Sequence, residues 1–255
     1  MPSMPEDGYR ITIEGESARI ATAAELVVAL DVLQGDYDRE VLTQLRDALP
    51  RIIRDPAGLS AVLRVLCEED KLYLIEALGP ELPSIVAHAG ALRDILAHLA
   101  EVSVEQALLR GIGPDGLRCL IRTPEQLAEV LEWVYGECDK LALELLGPPA
   151  LTRLIRSGTD LGLVLKALDH ARQEELIDTL GWDNVERLCQ DEMDLAQMLR
   201  SLPSHLGVRL LDGFDREQLA AVVPDERALQ RIAGYLETAE MERLEALLGV
   251  SDCAQ

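Results

Sequence analysis

The stretch LLRGIGPDGLRCLI, Leu108–Ile121, recurs in altered form along the chain, and its recurrence predicts the fold. Related stretches lie 34 residues apart without a gap. They are LIEALGPELPSIV from Leu74, ALELLGPPALTRLI from Ala142, LIDTLGWDNVERLC from Leu176 and LLDGFDREQLAAVV from Leu210. A fixed period of roughly 20–50 residues is typical of repeat proteins, in which each unit stacks on its neighbours. We therefore interpret the chain as an array of 34-residue repeats.

Two columns of this alignment indicate where helices end and begin. The first column marks the joint between units and holds Gly79, Gly113, Gly147, Gly181, Asp215 and Gly249. Proline follows the first three glycines, which is typical of a helix C-cap before the first turn of the next helix. The second column holds residue types that cap helix N-termini, with Ala89 as the exception: Asp55, Thr123, Ser157, Asp191 and Asp225.

A third, softer break in each unit completes the pattern, so that every unit contains three short helices of roughly eight to twelve residues. Helices of this length are marginal alone in water. Apolar columns in the same register supply the surface that neighbouring units would bury, among them Ile52, Val86, Leu120, Leu154, Leu188 and Val222. The sequence therefore predicts an all-α fold, an α-solenoid of about six such repeats over residues 36–249.

Residues 1–35 depart from the repeat. RITIEGESARI, Arg10–Ile20, alternates polar and apolar residues about Glu14 and Gly15, which predicts a short β-hairpin. A helix follows over Ala23–Leu33. Because a terminal repeat leaves an apolar side open, we expect residues 1–35 to form an N-terminal cap. Residues 250–255 are expected to form a disordered tail, and Met1–Gly8 to fray.

The letters GIGPDG, Gly111–Gly116, also match the glycine fingerprint of dinucleotide-binding proteins. That fingerprint needs a strand before it and a helix after it. No strand pattern precedes Gly111, and Gly113 belongs to the glycine column of the repeat. The match is therefore interpreted as accidental.

Composition excludes several classes of protein. The chain has 255 residues, of which 48% are apolar and only 3% aromatic, and a formal net charge of −22. Such acidity disfavours nucleic-acid binding, because phosphate contacts require a basic surface. The sequence has no signal-peptide pattern and no membrane-spanning apolar run. Five cysteines without a CxxC pair are interpreted as reduced, mostly buried thiols of a cytoplasmic protein.

Motifs for catalysis, cofactors and metals are not recognised in the sequence. The four histidines lack the spacing of metal ligands, and the signatures of hydrolases, P-loop proteins and kinases are missing. We therefore expect a protein that is not an enzyme and that uses no cofactor and no metal.

Two ladders of charged residues are the candidate binding residues. The first lies at the ends of the first helices and holds Arg51, Arg54, Arg118, Arg122, Arg153, Arg156 and Arg187. The second lies on the third helices and holds Glu76, Glu144, Asp178 and Asp212. The arginines either relieve the helix macrodipole or form a stripe that grips carboxylates or phosphates. The acidic residues form a solvated face or attract a basic partner, and the two ladders could also pair with each other.

Three helices per unit resembles the architecture of Pumilio and armadillo-type repeats. The L-G-P-x-x-L-x-x-L-I pattern is also similar to the L-T-P start of the DNA-reading repeats in plant-pathogen activator-like effectors. The period matches tetratricopeptide repeats, but their Trp, Gly-Tyr and Ala signature positions are missing. The resemblance is architectural, and no functional residue is carried over from it.

The leading functional hypothesis is a non-enzymatic protein-interaction scaffold, adaptor or inhibitor, whose acidic helical-repeat surface engages another protein with a basic patch. Solenoids offer extended concave surfaces for such partners. The alternative is an RNA- or phosphate-binding repeat protein that uses the arginine stripe. The sequence leaves the oligomeric state open.

Overall fold

The computed structural model describes residues 8–33, 35, 37–134 and 136–249. The chain is mostly helical, at 76%, with a small antiparallel sheet of two strands. It divides into two compact units. The first comprises the described residues of Met1–Ile121 and Trp133–Leu145, and the second those of Arg122–Glu132 and Leu146–Gln255. The expected disordered tail at 250–255 and all but Gly8 of the frayed N-terminus lie outside the described residues.

The N-terminal residues form the predicted hairpin and helix. Strands β1 (Tyr9–Ile13) and β2 (Glu16–Ile20) pair in an antiparallel sheet. The turn between them is Glu14-Gly15, with φ of 50° and 89°, as a two-residue turn between twisted strands requires. Helix α1 (Ala23–Leu33) follows and begins and ends at the predicted residues.

The remaining helices of the first unit follow one another with short connections. They are α2 (Asp38–Leu45), α3 (Leu49–Ile52), α4 (Pro56–Val65), α5 (Glu68–Leu78), α6 (Leu82–Val86), α7 (Ala89–Leu96) and α8 (Val102–Leu120). Turns of 3-10 helix precede α3 and α6, at Arg46–Ala48 and Gly79–Glu81. Helix α9 (Pro124–Leu131) belongs to the second unit, and α10 (Glu137–Leu154) contributes residues to each unit.

The second unit continues with the same succession of short helices. They are α11 (Gly158–Lys166), α12 (His170–Leu180), α13 (Trp182–Leu188), α14 (Glu192–Ser201), α15 (Ser204–Gly213), α16 (Arg216–Val222), α17 (Glu226–Ala233) and α18 (Thr238–Leu248). Helices α8 and α10 are each two helices that meet at a kink, at Gly113 and Gly147, whose backbone angles are not helical.

The glycine column is a column of positive φ angles. These are 43° at Gly79, 70° at Gly113, 72° at Gly147, 81° at Gly181 and 73° at Gly249. Residues with a Cβ seldom adopt such angles, which explains the residue type. Asp215 breaks the column with φ −76° and caps α16 instead, in a reciprocal capping box with Gln218. The predicted joints are therefore confirmed, with a different joint at Asp215.

The predicted N-cap column is confirmed at all five positions. The side chains of Asp55, Thr123, Ser157, Asp191 and Asp225 each accept a hydrogen bond from a main-chain N–H in the first turn of the following helix. The exception at Ala89 is a shift of one residue. His88 caps α7, because its Nδ1 accepts the N–H of Ala91 at 3.1 Å.

The first helix of several units is shorter than expected. Helix α3 has four residues, α6 has five and α13 has seven, where roughly eight to twelve were predicted. These helices are short because few residues separate the joint at their start from the N-cap residue of the next helix. The residue after α3, Ile53, is already extended, with φ −98° and ψ 100°, so the chain leaves the helix before it reaches the Asp55 cap.

Helices in corresponding positions pack against each other within each unit. In the first unit α4 contacts α1 and α7, and α5 contacts α2 and α8. In the second unit α11 contacts α9 and α14, α14 contacts α17, and α15 contacts α18. Leucines with almost no exposure fill these contacts, among them Leu26, Leu59, Leu127, Leu161 and Leu195. A solenoid of six repeats along the whole chain stays a prediction.

Candidate functional site

The arginine ladder lies on the surface, and parts of it bond to their own helix ends. All seven of its side chains are exposed. Arg54 Nε donates to the carbonyl oxygen of Arg51 at 2.5 Å, and Arg156 Nε donates to that of Arg153 at 2.8 Å. These carbonyls stand at the C-terminal ends of α3 and α10, where a cation relieves the macrodipole.

The other ladder arginines have local contacts as well. Arg51 donates to the Tyr9 hydroxyl at 3.5 Å, Arg118 pairs with Asp115 at 3.1 Å, and Arg187 donates to Asn184 at 3.4 Å. The main-chain N–H of Arg122 donates to the side chain of Gln126 at 2.8 Å. The structure thus brings Arg51 to Arg54 and Arg153 to Arg156. A stripe through all seven would span both units and stays a prediction.

The acidic ladder is exposed at all four positions. Glu76 pairs with Arg46 at 3.6 Å, and Asp212 pairs with Arg243 at 2.5 Å. Neither partner belongs to the arginine ladder, so the mutual pairing of the two ladders does not occur at these two residues. Exposed ion pairs of this kind contribute little to stability.

A groove beside the hairpin is a candidate site that the sequence did not reveal. Helix α1 has two apolar faces. One carries Leu26 and Leu30 into the core, where their exposed fractions are 0% and 2%. The other carries Val28 and Val32, one turn apart, with exposed fractions of 62% and 72%. Large apolar side chains exposed together mark interaction surfaces more often than single ones do.

This second face of α1 forms one wall of the groove, and the hairpin forms the other. The cavity has a volume of about 670 Å³. Its apolar lining includes Ile13, Ala18 and Ile20 from the hairpin and Ala24, Val28 and Val32 from α1. This size lies within the range of about 300–1,000 Å³ that is usual for ligand-binding clefts.

Acidic side chains stand along the groove. Glu14, Glu16 and Glu25 line it together with Arg19. The main-chain N–H groups of Ala21 and then Thr22 donate to the Glu25 carboxylate and lower its pKa, so this group stays ionised at neutral pH. The groove therefore joins an apolar lining to a largely negative rim.

The sequence contained a partial signal for this groove. AAELVVALDVL, residues 23–33, places apolar residues around most of the helix, which exceeds what one buried face needs. Which face would remain open depends on how the hairpin and α4 pack on α1. That packing is tertiary, so the pattern alone could not locate the groove.

A pair of buried carboxylates was also missed. Asp38 and Asp70 are 2% and 6% exposed. Asp70 pairs with Arg39 at 2.6 Å and accepts the Cys67 thiol at 3.2 Å, whereas Asp38 Oδ1 has no hydrogen-bond partner in the described chain. Burial, and then the nearby charge of Asp70, raise the pKa of Asp38. No group of three or more His, Cys, Asp or Glu side chains in the described ranges is placed to hold a metal ion.

This pair gives a pH-dependent stability. Because the pKa of Asp38 is higher in the folded chain, its favourable contribution is present below the unfolded pKa and is lost as the pH rises through the folded pKa. We expect Asp38→Asn to gain stability relative to the wild type as the pH rises above the unfolded pKa of about 4, and to keep this gain at neutral pH. Urea unfolding across this range measures the difference. The exposed Asp47→Asn variant should follow the wild type, and equal pH dependence of all three proteins would contradict the assignment.

The described cysteines form no disulfide with one another. Cys138 and Cys189 are buried, and burial is the main cause that raises the pKa of each thiol to about 12. Such thiols are unreactive at neutral pH. Cys67 and Cys119 are exposed, which differs from the expectation of mostly buried thiols, and Cys253 lies outside the described residues.

No protein-family model matches this chain, and no curated protein or solved structure matches it either. Within the described ranges, every helix is too short or too polar to cross a membrane.

Proposed function

We propose that this chain is a non-enzymatic interaction protein, a scaffold, adaptor or inhibitor that binds a partner protein with a basic patch. Its framework is an α-solenoid of about six 34-residue repeats. The contacts between corresponding helices of consecutive repeats, such as α4 with α7 and α11 with α14, support this framework. The exposed thiols of Cys67 and Cys119, which are in no disulfide within the described residues, favour a reducing compartment, and we propose the cytoplasm.

The observation that carries the proposal is the apolar groove with its acidic rim. A binding surface needs apolar area for affinity and charge for orientation and rate of association. The groove supplies the first through Val28 and Val32 and the second through Glu14, Glu16 and Glu25. A formal net charge of −22 extends the same preference for basic partners over long range.

The arginine stripe supports RNA or phosphate binding less well. Arg54 and Arg156 each donate their Nε–H to a carbonyl of their own helix, so this N–H does not contribute to a bidentate contact with a phosphate. A fluorescent oligouridine decides this alternative. The RNA-binding hypothesis would be favoured over the proposed function if the chain bound this probe at low salt and lost the binding on changing Arg118, Arg122, Arg153 and Arg156 to Glu.

We expect the binding of the partner to weaken at high salt and on substitution of residues that line the groove. Affinity capture from native extract at about 0.1 M and 1 M salt compares Debye lengths of roughly 10 Å and 3 Å. We expect capture by the wild type at the lower salt only. The double variant Val28→Lys with Val32→Lys should lose the same protein, because it places positive charge in the groove.

The control for this experiment is Val65→Lys, which adds a lysine at a valine of α4 that is 36% exposed and lies outside the groove lining. It should capture the partner as the wild type does. Capture that is unaffected by salt, or that survives in the double groove variant, would refute the proposed function.

A further inference from the structure

The hairpin register determines which main-chain groups face outward. In a two-residue hairpin the pair next to the turn is hydrogen-bonded, and such pairs alternate with pairs whose N–H and C=O groups point away from the partner strand. Ile13 pairs with Glu16, so the outward groups belong to the pairs Thr12–Ser17 and Arg10–Arg19. On β2 the outward groups are therefore those of Ser17 and Arg19.

The β1 edge is closed by a side chain. Gln44 on α2 accepts the Thr12 N–H at 2.9 Å and donates to the Thr12 carbonyl at 2.8 Å. An amide side chain thus takes the place of a third strand at Thr12. These two bonds confirm that the N–H and carbonyl of Thr12 point away from β2, as the register requires.

The β2 edge has no such closure at Ser17. Within the described ranges no side chain or main chain bonds to the Ser17 N–H or carbonyl, and its hydroxyl meets only the Thr12 hydroxyl, at 3.0 Å. Open strand edges accept further strands unless a protein blocks them. The β2 edge borders the groove, since Ser17, Ala18 and Arg19 are among the lining residues.

We propose that the groove binds an extended peptide segment of a partner protein, which adds to β2 as a third strand and lies over α1. The inference rests on the proposed function and names its binding mode and partner chemistry. Main-chain hydrogen bonds to the β2 edge would supply affinity, and every second side chain would point toward Val28 and Val32. The open β2 edge and the exposed apolar face of α1 border the same cavity, so that one extended segment could contact both.

The chemistry of the segment follows from the lining. Alternate residues should be apolar and β-branched or similar in size, because small side chains at Ala18 and Ala24 leave room beside the branched side chain of Val28. Lysine or arginine should flank them, because Glu14 and Glu16 stand at the turn end and Glu25 on α1. Five residues of β2 offer a strand about 17 Å long, which fits about five residues of partner.

The test uses a labelled probe peptide, acetyl-KKVTVRVTVKK-amide, and fluorescence anisotropy with the full chain. We expect saturable binding that weakens at least tenfold for a peptide of the same composition with its valines in one block. Two further peptides carry N-methyl groups, one on the valines and the other on the residues between them. Because only one set of N–H groups can face β2, one methylated peptide should lose at least tenfold in affinity and the other should keep it.

Protein variants test the two walls separately. Ser17→Pro removes the outward N–H at position 17 of β2 and should lower the affinity for the probe about tenfold. Ser17→Ala retains this N–H and should bind the probe as the wild type does. The amide signals of Ile11 and Ala18 in NMR spectra show whether the hairpin remains intact. The double variant Val28→Lys with Val32→Lys should abolish binding, and Val65→Lys should not.

Several results would overturn the inference. Equal binding by Ser17→Pro and Ser17→Ala, with loss in the valine double variant, would mean a peptide groove without strand addition, and the proposed function would stand. Self-association of the wild type that Ser17→Pro abolishes would assign the groove to a second copy. Probe binding only after removal of residues 1–7 would assign it to the chain's own N-terminal segment. No probe binding, with groove-dependent capture from extract retained, would refute the peptide chemistry alone.

Discussion

Changing Gly158 and Gly162 together to alanine should lower the free energy of unfolding by about 3 kcal/mol or more. Both glycines lie on α11, one turn apart, where this helix packs on α14. A Cβ at Gly158 would lie 2.7 Å from the main-chain oxygen of Asp194, and one at Gly162 would lie 2.8 Å from that of Gln197. Because backbone cannot move aside as a side-chain tip can, the helices must separate, and each overpacked site costs about 1–3 kcal/mol.

The separation would also break a buried polar contact. Asp194 is 6% exposed, and its Oδ1 accepts the N–H of Thr159 at 2.8 Å and the Thr159 hydroxyl at 3.0 Å. A buried carboxylate that loses its donors retains the cost of desolvation. This loss adds to the steric cost at Gly158.

The matched control for this prediction is Gly90→Ala in α7. The nearest atom to a Cβ there is His88 Nδ1 at 3.4 Å, which is an ordinary contact. Alanine should therefore be neutral or stabilise α7, by up to about 1 kcal/mol. Urea unfolding followed by circular dichroism measures all variants. Equal stability of the double variant and the Gly90→Ala variant would contradict the close packing of α11 on α14.

Alanine at the joint glycines should destabilise the chain through backbone strain alone. Gly113 has φ 70° and ψ 174°, and Gly181 has φ 81° and ψ 137°. Apart from the adjacent residues and the nearby backbone of the same helix, no atom of the described chain lies within 4 Å of a Cβ at either position. Conformations near this region are almost confined to glycine, so we expect each substitution to cost about 1–3 kcal/mol.

Gly234→Ala isolates the effect of the backbone angle. It is the same substitution in equally open space at the end of α17, but its φ is −70°. Thermal or urea unfolding should show almost no change for this variant and a clear loss for Gly113→Ala and Gly181→Ala. A loss of similar size in all three would assign the effect to something other than the positive φ.

Local features of the fold were predictable from the sequence because short runs of residues determine them. A glycine before proline separates one helix from the next, and a Ser, Thr or Asp directly before a helical pattern supplies its cap. The hairpin at Glu14-Gly15 belongs to the same class. Even the exception at Ala89 kept to this chemistry, since His88 supplies the acceptor one residue earlier.

The candidate site was much less predictable because it depends on contacts between distant residues. The groove exists only where β2 meets the second face of α1, and the Asp38–Asp70 pair joins α2 to α5. The arginines were recognisable from their spacing. Their bonds to carbonyls at the ends of α3 and α10 depend on side-chain conformations, which the spacing does not determine.

We propose that the 34-residue units are stable only through their neighbours, and circular dichroism of chain segments measures this dependence. The segments are one repeat, residues 148–181, and three consecutive repeats, residues 148–249. About three units are needed before a repeat array is stable. We predict that the single repeat is largely unfolded and that the triple repeat is helical and unfolds cooperatively in urea. A single repeat with full helicity, or a triple repeat without it, would contradict the claim.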